Sequence, residues 1–118
     1  MSNPANTPWP PPPDIDFIQE LVALADVEGF IVNGSPPDEY ETEAELIFNN
    51  VENLATPDLT VGNILPLVED IWQRSFELDD DALAHRRPDL EKLARQIARF
   101  FGPEARPQTR NQPHDPIE

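Results

Sequence analysis

An all-α fold, a compact four-helix single domain with Pro-rich disordered ends, is what the sequence predicts, and three observations predict it. Four separate stretches carry apolar residues at steps of three and four, the spacing that gathers them on one face of a helix. No segment longer than three residues alternates apolar and polar positions as a half-buried strand would. Six prolines fall within residues 1–13 and three more after residue 103, so the helical domain is confined to residues 14–102.

The Pro-rich arm, residues 1–13, ends in Trp9-Pro10-Pro11-Pro12-Pro13. Such a run forms polyproline II or stays without structure. A proline-recognising groove would want basic neighbours, and none is present. Trp9 folding back onto the domain, or an arm that hangs free, is the favoured reading.

The first helix begins at Asp14 or Asp16, since Asp16 and Gln19 make a capping-box pattern. Phe17, Ile18, Leu21, Val22, Leu24 and Ala25 form its broad apolar face, and Gly29 is its natural stop. Phe30-Ile31-Val32 then reads as a buried connector. The central helix starts from Ser35, with Pro36 and Pro37 where no amide hydrogen is needed and Asp38 and Glu39 at the positive dipole end. Tyr40, Ala44, Ile47, Phe48, Val51 and Leu54 form its apolar stripe, opposite Glu39, Glu41, Glu43, Glu45 and Glu52.

Thr60 caps the third helix, which either kinks at Pro66, the favoured reading, or ends a short turn near Asn63 and restarts with Pro66 in its first turn. Ile64, Val68, Ile71, Trp72, Ser75 and Phe76 mark its buried side in either case. Asp79-Asp80-Asp81 caps a short turn through Leu83. Arg87-Pro88 separates that turn from the last helix, because a residue before proline avoids helical angles. Leu90, Leu93, Ala94, Ile97, Ala98 and Phe101 form the final stripe, stopped by Gly102-Pro103, and residues 103–118 form a disordered tail. The expected core is Leu21, Val22, Ile47, Phe48, Val51, Val68, Ile71, Trp72, Leu93 and Ile97.

Two of these segments resemble a family of small all-α bacterial proteins of unknown function. Tyr40-Glu41-Thr42-Glu43 is similar to the family's Tyr-Glu-Thr-Glu helix start. Val68-Glu69-Asp70-Ile71-Trp72-Gln73-Arg74-Ser75-Phe76-Glu77 is similar to its Ile-Gln-x-Ile-Tyr-x-x-Ser-Phe-Glu segment. The family's Asp-Pro-rich turn after the first helix stands here as Asp26-Val27-Glu28-Gly29-Phe30, without the proline. The likeness covers about residues 21–77 and leaves the basic last helix unmatched. It implies the helical fold and brings no activity with it.

Charge bounds the function more tightly than any motif. The net charge is -15, and from Met1 to Gln73 fourteen acids stand without one Lys or Arg. Nucleic acid and anionic lipid are repelled by such a chain, and a cationic partner is attracted. Solubility alone also accounts for the excess. There is no cysteine, so disulfides and thiolate metal sites are excluded, which fits a cytoplasmic location. The start MSNPANTPW lacks the marks of a secretion signal, and the apolar runs are too short to span a membrane.

No catalytic constellation stands out. His85 and His114 are not at ligand spacing from each other, and the four glycines form no phosphate loop. Glu41 and Glu45 share a helix face and offer oxygen to a divalent cation, yet no second acidic helix is evident. Tyr40 and Trp72 fall on apolar stripes, so core packing is favoured over a role as exposed anchors. The basic last helix, with Lys92, Arg95 and Arg99, either touches a phosphate or lies against the acidic helix of the same molecule, and the second is favoured.

These readings converge on a non-enzymatic acidic binding protein with no metal and no cofactor. It would present Asp38, Glu39, Glu41, Glu45 and Glu52 to a basic partner protein, in its sharpest form a toxin held by an immunity or antitoxin-like inhibitor. An accessory or adaptor subunit docking through an apolar patch is the alternative, and a carboxylate-metal enzyme the third.

Overall fold

Asp14 opens the first helix: its carboxylate accepts a hydrogen bond from the Phe17 amide at 3.2 Å. The computed structural model describes residues 12–36 and 38–103, so the arm before Pro12 and the tail beyond Pro103 lie outside the described residues. Within them α1 spans Ile15–Ala25, α2 Glu41–Val51, α3 Val61–Ser75 and α4 Asp80–Phe101, with a 3-10 turn at Thr56–Asp58 before α3. The fold is all-α, and no strand occurs among the described residues.

The helices pack in a ring. α1 lies against α2 and α4, and α3 also lies against α2 and α4. That order leaves α2 and α4 on a diagonal, where they scarcely meet. The ring encloses Ile18, Val22, Tyr40, Ala44, Ile47, Val51, Ile64, Val68, Trp72, Leu90, Leu93, Ala94, Ile97 and Phe101, all essentially without solvent contact. Each helix supplies a stripe at helical spacing, and burying those stripes is the main favourable term for a chain of this size. Of the expected core residues, Phe48 alone is only half-buried. Leu59, in the turn before α3, is fully buried without belonging to any stripe.

Two helix boundaries differ from the sequence expectation, while the start of α1 falls at the first of its two expected positions. Asp14 is the cap of α1, which leaves Asp16 inside the first turn instead of heading a capping box. α1 stops at Asp26, well before Gly29: Asp26 adopts the left-handed conformation (φ 43°) that Asp tolerates better than most residues. Its carboxylate then accepts from the Ile31 and Val32 amides at 3.0 and 2.9 Å, an energetic reason to leave the helix there. α2 starts at Glu41 with Tyr40 as its cap residue, so Ser35 is not the cap and Asp38-Glu39 belong to the preceding turn. Tyr40 is pulled inward instead of extending the helix backward.

The largest correction concerns Pro88. No boundary falls at Arg87-Pro88, and α4 runs unbroken for 22 residues with the proline inside it. Asp79 caps this long helix by accepting from the Ala82 amide at 2.8 Å. Leu83 and Leu90 stand seven apart on the same buried face. The turn before the proline therefore shares one packing surface with the turns after it. Burial of that surface outweighs the hydrogen bond that a proline at this position cannot donate. α3 likewise carries Pro66 without ending, as expected.

Candidate functional site

The five acids expected to meet a partner, Asp38, Glu39, Glu41, Glu45 and Glu52, are all exposed. Glu41, Glu45 and Glu52 fall within one narrow strip of the α2 surface, because they are spaced four and seven apart. Phe48 lies beside that strip, three residues after Glu45 and four before Glu52, packed against the core but not fully enclosed. Glu43 does not belong to the open face. It is buried, since its place between Tyr40 and Ile47 turns it toward the core flank.

None of the five acids forms an ion pair among the described residues. Four of the basic residues are engaged elsewhere: Arg74 with Asp70, Arg86 with Glu28, Arg87 with Glu69 and Arg95 with Glu91. The expectation that the basic last helix neutralises the acidic one is thus overturned. The ring order is the reason, because α2 and α4 stand on its diagonal and no ion pair joins them among the described residues. α2 keeps its negative charge for the solvent.

A second cluster was not legible beforehand. Glu28, in the loop after α1, accepts from Trp72 Nε1 at 2.8 Å and from Arg86 Nε and Nη2 at 3.0 and 2.8 Å. Tyr40 donates its hydroxyl to Asp26 at 2.6 Å and accepts from the amides of Glu28 and Phe30 at 3.1 and 3.4 Å. Phe30, Tyr40, Trp72 and Phe76 close a ring of aromatic contacts, with centroids 5.2 to 5.9 Å apart. The three segments that carried the family resemblance, around Asp26–Phe30, Tyr40–Glu43 and Val68–Glu77, therefore meet at one place. Tyr40 and Trp72 are core residues and not exposed anchors.

Electrostatics follow the geometry. The Arg86 guanidinium, more than opposing burial, holds the Glu28 carboxyl below its ordinary range, helped by the Trp72 indole. Burial alone would raise Asp26, but the Tyr40 hydroxyl and the loop amides outweigh it and bring it down. Burial first, and the neighbouring Asp26 second, push the Tyr40 hydroxyl up to about 12. Every polar group in this cluster serves another, which marks it as a clamp for the loop between α1 and α2.

Little else gathers. Among the described residues no group of three or more His, Cys, Asp or Glu side chains stands close enough to hold a metal ion. His85 is exposed on α4, its ring 2.8 Å from the Asp81 carbonyl. No helix among the described residues is long and apolar enough to cross a membrane. Comparison with known protein families, with characterised proteins and with solved structures gives no match.

Proposed function

We propose that this protein is a non-enzymatic binding protein of the cytoplasm that presents the acidic face of α2 to a basic protein, most sharply a toxin that it inhibits. One observation carries the reading: Glu41, Glu45 and Glu52 flank the half-buried Phe48, and no base within the described residues pairs with them. An aromatic side chain rimmed by uncompensated charge is the composition of an interface anchor with a steering field around it. Asp38 and Glu39 extend the field past the start of α2.

The test is affinity capture from the source cell, followed by kinetics with the purified basic partner. Replacing Glu41, Glu45 and Glu52 with Gln removes three charges and keeps helix propensity. The on-rate falls in the variant, and wild-type association slows as salt shortens the Debye length to ~8 Å near physiological strength. Equal affinity of the two proteins at low and at high salt defeats the reading, and the charge is then a solubility device.

A second reading rests on Leu24 and Val32, exposed at 82% and 79% at the end of α1 and in the loop that follows. They support an adaptor that docks by an apolar patch without inhibiting. Replacing both with Ser abolishes capture on that reading and leaves it intact on the first.

A further inference from the structure

A cleft of about 330 Å³ opens between the turn before α3 and the last two turns of α4. Leu59, Val61, Ala98 and Pro103 make its apolar walls, and Thr60, Arg95 and Arg99 its polar ones. Gly102 holds the two segments at backbone contact beside it, since a Cβ there would stand 2.2 Å from the Leu59 carbonyl oxygen. The volume is at the low end of small-molecule sites, which run from about 300 to 1,000 Å³.

The charges in this cleft are placed against the trend of the molecule. Acids outnumber bases 23 to 8, yet Arg99 has no carboxylate partner among the described residues. Its guanidinium lies 5.9 Å over the Phe100 ring. Arg95, one turn earlier, is tied at one side to Glu91 and still faces the cleft. Two like charges four apart on a helix repel mildly, and an anion shared by both would turn that repulsion into attraction. The negative end of the α4 dipole favours Arg99 where it is, but does not account for a second arginine or for the apolar walls. The Thr60 hydroxyl makes no cap bond to α3, and Thr60 lines the cleft.

We infer that this cleft binds a small monocarboxylate with a short apolar body, its carboxylate held by Arg99 and Arg95 and its chain laid on Leu59, Val61 and Ala98. Arginine matches a carboxylate with two parallel donors, and the apolar walls select against a bare inorganic ion. A dianion meets twice the opposition of the protein's net charge of -15. None of the acids of the α2 face lines this cleft, and the inference stands or falls independently of the proposed function.

The test is a titration of the full chain by amide NMR with hexanoate, hexanol and inorganic phosphate as probes. Hexanoate shifts the resonances of Thr60, Val61, Ala98 and Arg99 saturably, and the other two probes bind at least about tenfold more weakly. Arg99→Gln, an exposed change that keeps the fold, weakens hexanoate about tenfold or more, while Lys92→Gln, outside the cleft, leaves it unchanged. Hexanol or phosphate binding as tightly as hexanoate overturns the inference. So does an equal loss in the Arg99 and Lys92 variants, which would reduce the effect to diffuse charge.

Discussion

Trp72 Nε1 donates to Glu28 Oε2 at 2.8 Å, joining residues 44 positions apart, while Arg86 grips the same carboxylate from α4. The Glu28 side chain is only 7% exposed. Removing Arg86 strands a nearly buried carboxylate; removing Glu28 strands both an indole N–H and a guanidinium. Arg86→Ala should cost about 3 kcal/mol in urea unfolding, the low end for a broken buried pair because Arg86 itself keeps partial solvent contact. Trp72→Phe and Glu28→Ala should be less than additive when combined, since both remove the same hydrogen bond.

Stability should fall at both ends of the pH scale through this one cluster. Glu28 and Asp26 have carboxyls held below their ordinary 4.5 and 3.8. Their contribution is present above those values and is lost as pH drops through the lower folded-state ones. Tyr40 behaves oppositely: raised from 10.0 to about 12, its contribution is complete below 10 and vanishes as pH climbs through 12. Thermal melts of wild type and Tyr40→Phe should converge above that window. A difference that persists unchanged there contradicts the assignment.

Phe48 and Ile47 are neighbours in sequence with different depths, and their variants should separate. Ile47→Ala removes a fully buried side chain and should cost ~2–5 kcal/mol. Phe48→Ala should cost less, about 1–2 kcal/mol, because part of that side chain already meets water. On the proposed function the order reverses for partner binding, where the Phe48 variant loses more. Urea midpoints and capture assays on the same pair of proteins check both halves.

Pro88 sits on the exposed side of α4, and its missing amide hydrogen leaves the Ala84 carbonyl without the usual helical donor. Pro88→Ala restores that bond at a position with no packing to lose. The variant should be more stable by about 1–3 kcal/mol. A loss of stability would mean that the proline shapes the path by which Leu83 and Leu90 reach the core.

The α2 carboxylates and the clamp show where sequence reading reaches its edge. Which faces of the four stretches are buried was settled largely by local spacing, because a side chain's position around a helix depends only on residues within a turn or two. Leu24, assigned to the apolar face of the first helix, and Ser75, assigned to the buried side of the third, are the exceptions and are exposed. Ile47, Val51, Val68, Trp72, Leu93 and Ile97 are in the core for that reason. Leu59 left no such signal, being alone in a turn. Nor did Glu28, whose partners Trp72 and Arg86 come from two other helices. The same holds for the candidate site: that Glu41, Glu45 and Glu52 share one strip follows from their spacing, but their freedom from Arg95 or Lys92 does not. Only the ring order of the helices places α2 and α4 on a diagonal. Only the shared buried face of Leu83 and Leu90 carries α4 through Pro88. Periodicity is a property of one helix, whereas charge pairing and helix length depend on what the neighbouring helices bring within reach.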